Sequence, residues 1–536
     1  MTAEARATSG PSAPAALDAR TRRLLEGPLP RTLLELAAPN ALVMVTQISL
    51  GLVELFLIAR LGVDALAGVS QVFPVLSLVG AISQGSIGGG VVSAIARALG
   101  RGQRQEANNL PWYAVAIAIS LGMITTAVLL VAGPHCYVAM GARGGSLQAA
   151  LSYSNLIFTG AVVIWLFNLL LAVLRGTGNL ILPVAVVCGG ALFLIPLLPL
   201  LIFGLGPIPG LGVIGGAVGL LTYYAVGSVV LVVHLWGHRG VLHPPARPPR
   251  LHFRPVYEIL RVGGMSSLVS ASTNITLAIT AGFVGHYGVS ALAGYGAGAR
   301  LEFMLVSLSY AIGGPAGILI GTSVGAHHDT RALRVAWIGT SVAALTAETI
   351  GLATACWPDV WLSTFTRDPV ALATGATYLR TVGPVFGFFG VGYALYCAGQ
   401  GTSRMQWPVT GALVRAVIAI AGGYLVTGFG NGPSGIFLAA AAGMATFGIL
   451  SLPSLIWRVG YGSGGGLPRA TSRNRNQESG GGYESDQGVA KQSACPRVIP
   501  GTPRIGSAEI RVPGEATASA TAAGLLIAKL RPRSTP

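Results

Sequence analysis

Charge is scarce in the apolar stretches of this 536-residue chain, and the few ionisable side chains placed there are the ones that could do chemistry. Glu54 is the one acid clearly inside the apolar windows of the first half. Gln47 lies seven residues before it and Gly51 three, so on a helix the three share one face over two turns. A charge near the middle of a bilayer costs roughly 2.5–3.5 kcal/mol on insertion scales, which marks such residues as functional candidates. The chemistry open to Glu54 with Gln47 is to bind and release a proton or a cation. In the second half, Arg300 and Glu302 are two residues apart and point about 200° from each other on a helix, so they cannot neutralise one another. Each is expected to have a different partner: Glu302 is expected either to face the cleft and attract a cation, or to pair with another helix, such as one involving Arg380, and both Glu302 and Arg300 are candidate substrate contacts. Glu348 is isolated and is expected to snorkel to the outer interface.

Phe386, Phe389, Tyr393 and Tyr396 recur at steps of three, four and three, which makes one aromatic stripe. Such a stripe is either plain packing or a wall for flat organic cations, held by burial and cation–π attraction. Asn155 and Asn168 read first as hydrogen-bond glue between helices, and Asn168 stays among the candidate substrate contacts. Other chemistries are excluded. The only lysines, Lys491 and Lys529, lie near the C-terminus, so no Walker A loop sits in the apolar body and ATP-driven pumping by this chain is ruled out. Cys136, Cys188, Cys356, Cys397 and Cys495 are scattered and odd in number, which argues against a disulfide framework or a CxxC site. His234 and His238 form a helical i,i+4 pair, but without the HExxH context of a zinc site. No catalytic residue, metal site or cofactor is expected.

The elements that must position these groups follow from composition. Charged residues make up 10% of the chain and hydrophobic ones 52%, with a mean hydropathy of +0.66; a soluble domain carries roughly 25% charged residues. Apolar windows fall at 33–58, 66–92, 112–133, 149–173, 180–204 and 212–236, then at 264–285, 292–318, 336–356, 379–399, 408–428 and 435–457. Each is close to the roughly 20 residues that cross a bilayer. The expected fold is an all-α polytopic membrane protein of about twelve spans in two six-helix lobes, 31–237 and 263–458. A basic connector (238–262) separates the lobes, a polar tail (1–30) without a signal segment precedes them, and a Gly/Ser/Arg/Pro-rich tail (459–536), expected to be disordered, follows.

Arginines cluster at alternate loops: Arg20, Arg22, Arg23 and Arg31, then Arg97, Arg101 and Arg104, then Arg175, then Arg239 to Arg261, then Arg331 and Arg334, Arg404, and Arg458. The net charge of +16 is thus a topological ladder rather than a nucleic-acid footprint, and both termini are expected in the cytoplasm. Trp112, Trp236, Trp337, Trp357, Trp361, Trp407 and Trp457 fall at window ends, where indoles favour the headgroup level; Trp165 is mid-span and expected to pack. Gly62-Val63-Asp64-Ala65-Leu66-Ala67-Gly68 returns 226 residues on as Gly288-Val289-Ser290-Ala291-Leu292-Ala293-Gly294, and Gly176-Thr177 with Pro183-Val184 returns 225 on as Gly401-Thr402 with Pro408-Val409. Two matches at nearly one offset predict halves related by an axis along the membrane normal, with a shared site between them.

At these residues the chain resembles the multidrug and toxic compound extrusion family, in its DinF-type branch. The carriers are Pro39, Gln47 and Gly51-Leu52-Val53-Glu54, the repeated Gly62 and Gly288 segments, Ala98-Leu99-Gly100-Arg101-Gly102 and Leu174-Arg175-Gly176-Thr177-Gly178-Asn179. Gly321-Thr322-Ser323-Val324-Gly325-Ala326 and Phe365-Thr366-Arg367-Asp368-Pro369 complete the series. The resemblance implies a V-shaped pair of lobes, alternating access, and export of bulky, often cationic, organic compounds driven by inward H+ or Na+. It places Glu54 where similar proteins hold a coupling acid. Many relatives carry Asn-x-x-x-Asp-Pro in the fifth span, where this chain has Leu194, Leu198 and Pro199. One carboxylate with Gln47 and Thr46 is a thin set for Na+, so H+ is the favoured coupling ion. The expectation is a monomeric antiporter of a bacterial cytoplasmic membrane, acting on small organic molecules. The alternatives are a flippase for a lipid-linked intermediate, or an exporter dedicated to one secondary metabolite.

Overall fold

The computed structural model describes residues 18–455 apart from 206–207, 238–239, 251 and 429–431. The expected 459–536 tail, residues 1–17, His238, Arg239, Trp457 and Arg458 lie outside the described residues. The first half runs α1 (Ala19–Glu26), α2 (Leu29–Ala59), α3 (Val63–Gly80), a π-helical segment (Ala81–Ile87), α4 (Gly88–Gly100), α5 (Arg104–Ala139), α6 (Gly144–Thr159), α7 (Ala161–Gly176), α8 (Ile181–Phe203) and α9 (Val213–Trp236). The second runs α10 (Phe253–Gly285), α11 (Val289–Gly325), α12 (Asp329–Cys356), α13 (Pro358–Leu362), α14 (Pro369–Val382), α15 (Phe386–Thr402), α16 (Gln406–Gly428) and α17 (Pro433–Ser451). The strands are a two-residue antiparallel ladder, Gly204–Leu205 with Ile208–Pro209, in the α8–α9 loop. Among the described residues, eleven helices, counting α3–α4 and α14–α15 as one each, are long and apolar enough to cross a membrane. The α6–α7 pair, bent by 53°, supplies a twelfth.

The repeat is visible as geometry. Gly62 and Gly288 enter α3 and α11 at φ +125° and +112°, a conformation that glycine alone adopts without strain. Gly68 lies against the α6 backbone at Ser146–Ala150, and Gly294 lies against Ala371 of α14. At either glycine a Cβ would collide with the facing helix, so the same small residue sets the same close crossing in both halves. Each half has its own hydrophobic core, one drawn from residues between Val43 and Ile259 and the other from Val262 to Phe447. A third cluster joins Leu24, Leu33, Leu36 and Leu180 to Ile318, Leu319, Val335 and Ala398, on the side where the arginine-bearing helix ends lie.

Two expectations about the polar ends need correction. The connector is shorter than 238–262 because α10 begins at Phe253. Its first turns carry Arg254 and Glu258, which pair at 3.6 Å one helical turn apart, so a polar helix continues where hydropathy sees only loop. The 1–30 tail, expected only as polar, contains a helix with an apolar face, because α1 is capped by Asp18 and buries Leu24 and Leu25. Arg331 of α12 donates to the carbonyls of Leu24 (2.9 Å) and Gly27 (2.7 Å) at the end of α1, which α1 itself leaves unpaired.

Candidate functional site

Glu54 sits on α2 with 7% of its surface exposed. Its Oε1 accepts a hydrogen bond of 2.7 Å from the buried Tyr153 hydroxyl on α6. Gly216 of α9 faces the same oxygen; a Cβ there would lie 3.1 Å from Oε1 and 3.3 Å from Ile58. Among the described residues Glu54 forms no ion pair. Gln47 shares the Glu54 helix but turns to a different neighbour, accepting a 3.3 Å bond from Gln84 of the π-helical segment. Thr46 is occupied by the Leu42 carbonyl and the Cys188 thiol. Leu194 and Leu198 are fully buried and pack on Gly219. The described residues contain no group of three or more His, Cys, Asp or Glu that could hold a metal ion.

The second lobe holds its acid differently. Glu302 of α11 is buried and paired through Oε1 with Arg415 of α16, while Tyr378 of α14 donates to Oε2 at 3.1 Å. The guanidinium of Arg415 also lies over the Phe389 ring at 5.0 Å. Glu302 therefore faces the interior of its lobe rather than a cleft, and its partner is Arg415, not the exposed Arg380. Arg415 escaped the sequence reading because one arginine barely lowers the hydropathy of its window. The signal was available, since an intramembrane arginine needs a partner. Arg300 is exposed and stacks on Phe365 at 5.0 Å, away from Glu302. Glu348 does not snorkel; its Oε2 accepts a 2.7 Å bond from the Gly387 N–H and so caps the start of α15.

The aromatic stripe divides. Phe386 and Phe389 are fully buried in the second-lobe core, where Phe389 packs on Phe447 at 6.0 Å. Tyr393 contacts Tyr396 at 5.2 Å, and the Tyr396 hydroxyl accepts a 2.9 Å bond from Gln400. Asn168 is buried and donates to Ser83 at 2.8 Å, a tie between α7 and the π-helical segment. Asn155 is exposed and is not glue. Trp165 is buried and donates to Thr125 at 3.0 Å.

The lobes meet along a seam centred on the π-helical segment and α4, where glycines allow close approach. Gly89 abuts the Gln400 amide, Gly90 the α10 backbone at Ile259, and Gly100 the α11 backbone at Thr322. Gln400 donates to the Gly85 carbonyl at 2.9 Å, and Ser86 pairs with Ser270 at 2.9 Å. Asn40 reaches the Tyr310 carbonyl at 3.2 Å, and Ser93 donates to the Gln400 carbonyl. π turns are rare and cluster at functional sites. Here the turn joins Gln47 and Asn168 of one lobe to Ser270 and Gln400 of the other.

Known proteins share this architecture. The chain is 26% identical over 373 residues to the FAD transporter of Shewanella oneidensis, covering 69% of this chain and 81% of that one. It is 26% identical over 364 residues to the probable multidrug resistance protein NorM of Thermotoga maritima, covering 67% and 77%. A solved MOP-superfamily transporter from Pyrococcus furiosus superposes with a TM-score of 0.73 at 22% identity, over 82% of this chain and 97% of that one, a likeness of fold. The family model MatE matches residues 39–200 and 266–425, one segment in each lobe. Matched over more than half its length, the chain belongs to the MatE family of membrane transporters.

Proposed function

We propose that the chain is a proton-coupled antiporter that exports bulky organic compounds, cations among them, across a bacterial cytoplasmic membrane, with the arginine-bearing face inside. The observation that carries the coupling is Glu54: a buried carboxyl whose one hydrogen-bond donor is Tyr153 and which no described cation neutralises. Burying an unpaired carboxylate is costly, so the group is suited to hold a proton while the lobe is closed around it and to release it on rehydration. Export of drugs is supported by the names of the similar proteins, among them multidrug export protein MepA of Staphylococcus aureus, 23% identical over 277 residues. The cycle admits a proton to Glu54 from outside, rearranges the first lobe, releases cargo outward, and resets when the proton leaves inward. The test is efflux of ethidium from reconstituted vesicles under separately imposed pH and Na+ gradients. The pH gradient alone drives efflux, and Glu54→Gln abolishes that drive; efflux that follows the Na+ gradient, or survives in Glu54→Gln, overturns the reading.

A further inference from the structure

Among the described residues, the seam contains one cation that no acidic side chain neutralises. Arg175, at the end of α7, is 5% exposed. Its Nη1 donates to the Tyr310 hydroxyl of the other lobe at 3.2 Å, while its buried Nε and Nη2 have no partner. It lines a cavity of about 20 Å³, roughly the room of one water, together with Asn40, Ser93, Tyr310 and Gln400. No acidic side chain lines that cavity. The neighbouring Arg97 differs in being spent, on Ser93, the Gly401 carbonyl, and Glu258 at 4.0 Å.

The repeat sharpens the oddity. Gln400 stands 225 residues after Arg175, at the equivalent position of the second half, and lines the same cavity. Its Nε2 lies within donating distance of the Gly85 carbonyl, the Ser266 hydroxyl and the Tyr396 hydroxyl. One half thus closes the seam with a neutral, hydrogen-bonded amide, and the other keeps a permanent charge there. Tyr310 pins one corner of the guanidinium and leaves the Nε–Nη2 edge, whose two parallel donors match the two oxygens of a carboxylate or phosphate. The closed cavity is too small for such a group, so the edge becomes usable when the lobes part on the arginine-bearing side.

We infer that Arg175 is the contact by which this transporter takes up cargo bearing a carboxylate or phosphate, when the seam is open. The inference rests on the export reading above and names a substrate class for it: organic anions and zwitterions in addition to cations.

A matched set of probes tests it at equilibrium, without any ion gradient. Full-length protein in phosphatidylcholine nanodiscs is titrated with flavin mononucleotide, with riboflavin, which lacks only the phosphate, and with ethidium. Wild type binds flavin mononucleotide at least about tenfold more tightly than riboflavin. Arg175→Gln removes that preference while ethidium affinity and melting temperature hold, and Arg175→Lys, which keeps the charge and loses the fork, falls between. Equal binding of the two flavins by wild type, or loss of all three ligands in Arg175→Gln, overturns the inference. So does an Arg175→Gln effect confined to retention of phosphatidylglycerol in mixed nanodiscs, which would make a lipid headgroup the ligand. Failure of the export reading looks different: no gradient-driven efflux, with the flavin preference intact.

Discussion

The two lobes solve one problem in opposite ways. Tyr153 and Tyr378 are 225 residues apart, the offset of the repeat, and each donates its hydroxyl to a buried glutamate. The glutamates are not repeat partners. Glu54 comes from α2 and approaches its tyrosine alone; Glu302 comes from α11 and brings Arg415 of α16 with it. The inherited part is the tyrosine on the span that crosses the repeated glycine. Where the acid arises, and whether a cation accompanies it, decides its role. Through Arg415 and Tyr378, Glu302 ties three helices together; Glu54, with no described cation beside it, is the acid that the proposed cycle uses.

The largest effect that separates the lobes is on stability. Removing one partner of a buried ion pair leaves an uncompensated charge and costs about 3–5 kcal/mol. Arg415→Met is therefore expected to lower the melting temperature of the purified protein sharply, and the double replacement Arg415→Met with Glu302→Gln to restore most of it. Glu54→Gln removes an unpaired acid and should leave the melting temperature nearly unchanged while it uncouples efflux. A tolerated Arg415→Met beside an unfolded Glu54→Gln would invert the division of labour.

The paired tyrosines give a middle-sized effect. Tyr153→Phe and Tyr378→Phe each delete one hydrogen bond to a carboxyl group, worth roughly 1–2 kcal/mol. In the second lobe the cost should appear in thermal stability alone. In the first it should also move the pH midpoint of gradient-driven efflux, because the lost bond belongs to the group proposed to exchange the proton. Midpoints that move equally in both variants would show that Glu302 shares in coupling.

The spans were legible because hydropathy records them directly, and the Gly62 and Gly288 segments predicted two related halves, in each of which the structure sets the segment's last glycine against a facing helix. Glu54 was legible for the same reason, as a lone acid in an apolar helix. Its neighbour Tyr153 was not, since 99 residues separate them and a tyrosine near a membrane interface is unremarked. Periodicity showed that Phe386, Phe389, Tyr393 and Tyr396 share a face, but not which way it looks; it looks partly into the second-lobe core. The π-helical segment left no trace beyond a run of glycines and serines, because its register depends on what packs against it.

The smallest effect concerns Arg300, two residues from Glu302 and exposed. Helical geometry had set the two side chains roughly 200° apart, and the structure gives Arg300 the Phe365 ring instead, at 5.0 Å. An exposed cation–π contact contributes about 0.5–1 kcal/mol. Arg300→Ala is thus expected to shift the melting temperature slightly and to leave ethidium efflux unaltered, whereas Arg415→Met, a deletion of the same charge in the same lobe, is expected to lower the melting temperature sharply. If Arg300→Ala instead matches Arg415→Met, the second lobe depends on its total positive charge, and the contrast with Glu54 no longer turns on a particular buried pair.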